Sequence, residues 1–240
     1  MGFLERVKKV VKIADIILEI ADARFIDLTR NRQLEREMTS LGKKLIIVAN
    51  KSDLVQKRRY DSEFPLVWVS ARKHLGVRKL RGAIGMAAGN RKVNVAVVGY
   101  PNTGKSSIIN MLSGRKVARS SISAGYTKGE QIVKISENVY LIDLPGIIPF
   151  DEVDQTDLAL IAAKSPWQIK NVEKAAEKLI AALQKNGVRE LMGIDIGGKE
   201  PNEVIEELAI EKKKLRKGGI ADIDSMSKIL LLQWQKGKLI

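Results

Sequence analysis

The sequence predicts an α/β protein built on a mostly parallel sheet, with a small all-helical domain after it. Three observations predict this. Apolar runs of strand length at residues 13–20, 45–49, 66–70 and 93–98 alternate with helix-like segments, as buried parallel strands do. A glycine-rich loop, Gly99-Tyr-Pro-Asn-Thr-Gly-Lys-Ser106, stands between the last of these runs and a helical pattern at 105–112. From Asp151 onward the pattern is helical. The expected domains are residues 1–163 and 164–240.

Each element follows in order. Residues 3–12 read as a short basic helix. The first strand, 13–20, runs to Asp22-Ala-Arg24 and a loop through Arg30-Asn31. A helix at 34–41 is stopped by Gly42, and strand 45–49 ends in Asn50-Lys-Ser-Asp53. Strand 66–70 ends in Ser70-Ala-Arg72, followed by a helix at 76–88 bearing Arg78, Lys79 and Arg81. Gly89-Asn-Arg-Lys92 reads as a linker into strand 93–98. Residues 115–129 are polar, basic and glycine-bearing, as a mobile switch or a plain surface loop would be. Segments 130–135 and 139–142 suit an adjacent strand pair, and the second ends in Asp143-Leu-Pro-Gly146. Helices follow at 168–185, at 203–215 and through Trp234, the last capped by Asp222 or Asp224.

The glycine loop has the pattern and the strand–loop–helix context of a P-loop. Gly99 and Gly104 let successive N–H groups turn inward, and a helix N-terminus adds free donors and positive potential. Asn102, Thr103, Gly104, Lys105, Ser106 and Ser107 are assigned to the nucleotide. Lys105 is placed to reach the β- and γ-phosphates, and the Ser106 hydroxyl to bind Mg²⁺. Asn50-Lys-Ser-Asp53 suits the base. The Asp53 carboxylate can accept from the N1–H and N2–H₂ edge of guanine, whereas adenine lacks both donors and would leave it unpaired. Asn50 would tie this loop to the P-loop, and the Lys51 stem would lie on the base. Ser70, Ala71 and Arg72 form a loop whose Ala71 N–H could meet guanine O6. Alone, such an Asn-Lys-x-Asp tetrad is more often a turn, and Ser-Ala-Arg carries no meaning outside this position.

Thr127 is the expected Mg²⁺ and γ-phosphate threonine. Asp143 would hold Mg²⁺ through water, and the Gly146 N–H would sense the γ-phosphate. Lys105, Thr127 and Gly146 are thus the expected catalytic set. Ras-like enzymes place a water-orienting Gln just after that glycine, but Ile147 stands here, so a slow intrinsic rate is expected. His74, the one histidine, reads as a solvated loop residue.

Composition bounds the partners. The chain has 240 residues, 45% hydrophobic, with a net charge of +14 and a pI near 9.9. Such charge points to an anionic partner beyond one nucleotide, nucleic acid first and an anionic membrane surface second. A merely soluble basic surface is the plainer alternative. There are no cysteines, so thiol and disulfide chemistry are excluded. No secretory signal and no bilayer-length apolar run is present, and Arg6 departs from the myristoylation pattern. A cytoplasmic monomer is the expectation. Lys212-Lys-Lys-Leu-Arg-Lys217 reads as an RNA-contacting patch or as a solvated helix face.

The order of these motifs is rotated. Ordinary GTPases begin with the P-loop and end with Ser-Ala-x; here the base-reading loops come first. A circular permutation explains this, because loops on strand ends keep their places when old termini are joined, here near 89–92. With its Asp22-Ala-Arg24, Arg30-Asn31, permuted boxes and ending Leu215-Arg-Lys-Gly-Gly219 … Ile229-Leu-Leu-Leu-Gln-Trp-Gln-Lys-Gly-Lys-Leu239, the chain resembles the circularly permuted GTPases of the YlqF/RbgA (YawG) family, ribosome-assembly factors.

That resemblance implies a P-loop GTPase fold, GTP/GDP with Mg²⁺, and K⁺ stimulation through Asn102. It also implies a C-terminal RNA-binding domain and a large ribosomal subunit or its precursor, with its rRNA, as partner. One departure stands out. Many bacterial members begin with Pro-Gly-His-Met, whose His is proposed to assist hydrolysis, and this chain begins Met1-Gly-Phe-Leu. His74 lies in another loop and does not inherit that role. Two other classes remain open: an RNA-binding module using GTP as a slow clock, and a signalling or membrane-associated GTPase.

Overall fold

The computed structural model describes residues 12–55, 60–114, 131–143, 155–162 and 164–239. It divides into two units, Met1–Asp151 and Glu152–Ile240. The first contains a six-stranded sheet in the order β3-β2-β1-β4-β6-β5. The strands are β1 (Ile16–Asp22), β2 (Lys44–Asn50), β3 (Leu66–Trp68), β4 (Val93–Val98), β5 (Gln131–Ser136) and β6 (Val139–Asp143). All neighbours pair in parallel except β5 with β6. Helices α1 (Ile26–Thr29), α2 (Arg32–Ser40), α3 (Val77–Ala88) and α4 (Lys105–Ser113) connect them.

Strand alternation sends side chains to two cores. Ile16, Leu18, Ile20, Val95 and Val97 meet Leu80 and Ile84 of α3 and Ile108, Ile109 and Leu112 of α4 on one face. Ile17, Ala96, Val98 and Ile142 meet Leu34 and Met38 of α2 on the other. Burial on both faces explains why β1 and β4 read as nearly unbroken apolar runs. The chain winds from β1 outward to β2 and β3, then returns to place β4 on the other side of β1. Strand order therefore reverses between β1 and β4, where open α/β sheets hold ligands at their carboxyl ends.

Several expected boundaries move. Lys12 and Ile13 are helical, and β1 runs from Ile16 to Asp22. The expected strand 66–70 shortens to Leu66–Trp68, because Ser70 turns to bridge Leu75. The expected helix at 3–12 lies, but for Lys12, outside the described residues.

In the second unit, α5 (Gln155–Leu160), α6 (Val172–Lys185), α7 (Pro201–Glu211) and α8 (Ile223–Gln235) pack together, with a short hairpin of β7 (Glu190–Leu191) and β8 (Ile194–Asp195). The unit is thus not wholly helical. It begins before the expected residue 164, because α5 is held by α8: Trp234 Nε1 donates to Leu160 O at 2.8 Å, and Gln235 Nε2 to Ala159 O at 2.9 Å. The expected helix from 168 starts at Val172, because Ser165 and Gln168 close a capping box around a separate 3₁₀ turn, Pro166–Gln168. Helix α7 ends at Glu211, so the basic run follows it. Asp222 caps α8 by accepting from Ser225 N at 3.2 Å.

One residue breaks the apolar rule of β1. Glu19 is wholly buried and accepts the Asn31 N–H. Burial pushes its carboxyl up to about 8; the Asn31 N–H opposes the rise and neighbouring Glu35 adds to it. A raised folded value means stability is lost as pH climbs from about 4.5 through about 8. Glu19→Gln keeps an acceptor for Asn31 and carries no charge. Urea midpoints should therefore show the variant gaining on the parent between about pH 5 and about pH 8 and the gain levelling off above that, and parallel curves would contradict this account of Glu19.

Candidate nucleotide site

Three loops meet at the carboxyl ends of β2, β3 and β4, and one carboxamide joins them. Asn50, buried at the end of β2, donates from Nδ2 to Thr103 O of the P-loop at 2.8 Å. Its Oδ1 accepts from Ala71 N at 3.1 Å, and its backbone O accepts from Ala23 N at 2.7 Å. The expected tie from Asn50 to the P-loop is this first bond. The Ala71 N–H, expected to face guanine O6, is here directed to Asn50.

The P-loop is fitted closely around this arrangement. A Cβ on Gly104, at φ +98, would lie 2.2 Å from Asn50 Nδ2. One on Gly99, at φ +142, would lie 2.4 Å from Ile20 O. Both positions thus exclude a side chain on two grounds, backbone region and space. Thr103 is buried and donates through Oγ1 to Tyr100 O at 2.8 Å. Lys105 Nζ donates to Gly99 O at 2.9 Å and Tyr100 O at 2.8 Å, which holds the ammonium over the loop. Ser106 and Ser107 open α4 behind the Gly104 cap, and Asn102 adopts φ 60.

In the loop after β2, Lys51 has φ 63 and Ser52–Leu54 form a 3₁₀ turn. Ser52 N donates to Val69 O at 3.0 Å. Asp53 Oδ1 is buried without a hydrogen-bond partner among the described residues. An acceptor left this way carries a desolvation cost that a donor would relieve, and the guanine edge is such a donor. Ser70 is buried and its Oγ accepts from Lys73 N at 3.1 Å; Arg72 is exposed.

The structure adds partners that the sequence reading did not assign. Lys51 Nζ lies 2.7 Å from Asp22 Oδ2, which also takes Arg24 Nη2 at 2.7 Å. Burial by itself would raise Asp22. The hydrogen bond and charge of Arg24, then those of Lys51, outweigh it and hold the carboxyl at about 2. Burial pushes the Lys51 ammonium down. Behind this cluster Arg30 Nε meets Glu35 Oε1 at 2.7 Å, both side chains nearly inaccessible, and Asn31 Oδ1 caps α2 through Leu34 N at 3.0 Å. Asp22-Ala-Arg24 was visible as a motif, but its pairing with Lys51 needed the parallel register that sets Asp22 beside Asn50.

Backbone pairing places Asp143 at the end of β6 opposite Val97. Its side chain, and Thr127, Gly146 and Ile147, lie outside the described residues.

Phosphate loop, buried amide clasp and unpaired Asp53 Oδ1 define a P-loop nucleotide-binding protein whose Asn50–Asp53 loop precedes its phosphate loop in the chain. The chain belongs to the 50S ribosome-binding GTPase family, which matches residues 94–215. It is 36% identical over 244 residues to the protein named "Uncharacterized GTP-binding protein MJ1464" of Methanocaldococcus jannaschii, covering 97% of this chain and 65% of that one. It is 32% identical to nucleolar GTP-binding protein 2 of Neurospora crassa, covering 96% of this chain and 40% of that one. The chain thus spans less than two thirds of these relatives. GNP-bound YlqF from T. maritima shares the fold with a TM-score of 0.64 at 21% identity, over 98% of this chain and 94% of that one. The GDP-bound form gives 0.66 at 21% identity, over 97% and 95%. The permuted arrangement is therefore that of YlqF.

Asp22 stabilises the folded state only while ionised. Its contribution is present above about pH 4 and is lost as pH falls through about 2. Asp22→Asn leaves Arg24 and Lys51 without their carboxylate and should cost about 3–5 kcal/mol at pH 7. Denaturation at pH 7 and at pH 2 should show that deficit shrinking in acid.

Proposed function

We propose that this chain binds GTP and hydrolyses it to GDP and phosphate, and that it does so as a factor in large-subunit ribosome assembly. The observation that carries the nucleotide reading is the Asn50 clasp. It sets the loop bearing the unpaired Asp53 Oδ1 against the P-loop, so base and phosphates can be held by one rigid framework. Family membership and the nucleolar relatives support the ribosomal reading.

In this reading Asp53 accepts from guanine N1–H and N2–H₂, Ser70, Ala71 and Arg72 border the base, and the backbone of 102–107 cradles the phosphates. Lys105 neutralises the β- and γ-oxygens. Ser106, with Thr127 and water bound to Asp143, would hold Mg²⁺, which supplies further charge neutralisation when bound. Asn102 would hold K⁺. Gly146 reports the γ-phosphate, and Ile147 has no polar group to orient water. The intrinsic rate is therefore slow and rises on the ribosomal partner. Asp143-Leu-Pro-Gly146 lies a few residues before the second unit, which begins at Glu152. The γ-phosphate state thus passes by covalent continuity to that unit, whose exposed run Lys212–Lys217 contacts rRNA.

Two measurements test this. Asp53→Asn should lower GTP affinity by about 100-fold or more and raise XTP affinity, because the acceptor for N2–H₂ and N1–H is lost; an unchanged GTP/XTP ratio would remove Asp53 from the site. Sedimentation with separated ribosomal subunits at fixed moderate salt should show binding to the large subunit alone, stronger with a non-hydrolysable GTP analogue than with GDP. Equal, nucleotide-indifferent binding to both subunits would reduce the attraction to bulk charge.

A further inference from the structure

The net charge of +14 is not shared between the two units. Met1–Asp151 carries 27 Lys/Arg against 14 Asp/Glu, whereas Glu152–Ile240 carries 15 against 14. Residues 64–129 contain 12 Lys/Arg and no Asp or Glu. The nucleotide unit, not the helical one, is therefore the strongly basic body. One triphosphate does not account for this, because a large share of the cations sits away from the P-loop.

The described part of that excess is concentrated around α3. Ser70 and Leu75 exchange backbone bonds at 3.1 and 3.0 Å, closing a tight turn that presents Lys73 to solvent. Gly76, at φ +77 with no room for a Cβ beneath Trp68 O, then starts the helix at once. Arg78 and Lys79 follow on its exposed side. None of these three cations has an ion-pair partner among the described residues.

The solvent side of α3 is poorly explained by folding. Leu80, Ile84 and Ala88 face the core. Opposite them stand Gly82 and Gly85, each with open space where a Cβ would go, and Met86, 83% exposed. Glycine is the weakest helix former after proline. Cations in the first turn oppose the helix dipole. These choices weaken α3 internally, yet together they give a basic ridge beside a bare strip of helix backbone. A phosphodiester backbone can lie close to such a strip, while the exposed large apolar side chains beside it, Leu75 and Met86, are too few to anchor the surface in a bilayer.

We propose that the Lys73 turn and the exposed face of α3 form a second RNA-docking surface, on the nucleotide unit, which takes the phosphate backbone of double-helical RNA. This goes beyond the ribosomal reading and stands without it, since the chemistry requires only a polyanionic helix. Because Ser70-Ala-Arg72 leads directly into this surface, RNA would dock next to the base-reading loop.

The full chain would be titrated against a fluorescently labelled RNA hairpin between 50 and 300 mM KCl. Lys73→Glu/Arg78→Glu/Lys79→Glu is expected to weaken binding at least about 10-fold and to make the slope of log K against log salt shallower by about 2 to 3. Affinity for a fluorescent GDP should stay unchanged, which shows the variant folded. Gly82→Gln/Gly85→Gln provides a second readout: the melting temperature should rise while RNA affinity falls, opposite to what a structural role of the glycines would give. The proposal is overturned if the triple variant keeps the parent's affinity and slope. It is also overturned if Lys212→Glu/Lys213→Glu/Lys214→Glu accounts for the whole loss, or if α3 variants lose binding to phosphatidylserine vesicles but not to RNA.

Discussion

Everything at the candidate site hangs on the side chain of Asn50. A carboxamide has a donor end and an acceptor end, and both are used across chain-distant loops, to Thr103 O and from Ala71 N. Buried amides left unpaired are costly, so the loops after β2, β3 and β4 hold one arrangement or lose the bonds together. Gly104 is glycine for the same reason, since any Cβ would strike that amide. The bonds run sideways across strand ends and are indifferent to the order in which the chain visits the strands. A permuted sequence can therefore assemble the same site.

Around this clasp the structure buries several charges. Asp22 is shared by Arg24 and Lys51, and Arg30 with Glu35 lies beside Glu19. Buried ion pairs contribute little net stability relative to apolar packing. What they do here is geometric: Asp22 holds the Lys51 side chain, and the Asn31 cap starts α2 where the β1 loop must turn back. The end of β1 is consequently a support for the loop after β2.

Charge and fold divide the molecule differently from what the C-terminal basic run suggests. The helical unit has a nearly balanced surface in which Lys212–Lys217 is a local feature. The nucleotide unit carries almost all the net charge, and three of its cations, Arg78, Lys79 and Arg81, stand on a helix whose solvent face folding does not explain. An anionic partner at low or moderate salt would meet that unit first.

The sequence by itself determined the α/β class, the phosphate loop and the rotated order of the motifs. These are local: a strand's apolar run, a glycine spacing and a helix start are each set by neighbouring residues. Its boundary errors are local too. The Ser70–Leu75 bridge shortened β3, and the Ser165–Gln168 capping box delayed α6. The expected apolar strand 13–20 holds both Asp15 and Glu19, and neither the full burial of Glu19 nor its bond to Asn31 could be read from it. Only the tertiary structure decided which loops touch. The pairing of Lys51 with Asp22, the turning of the Ala71 N–H to Asn50 and the unpaired Asp53 Oδ1 depend on the parallel register of β1, β2 and β4. That register is fixed by side chains packing on both faces of the sheet, far apart in sequence, and no window along the chain contains it.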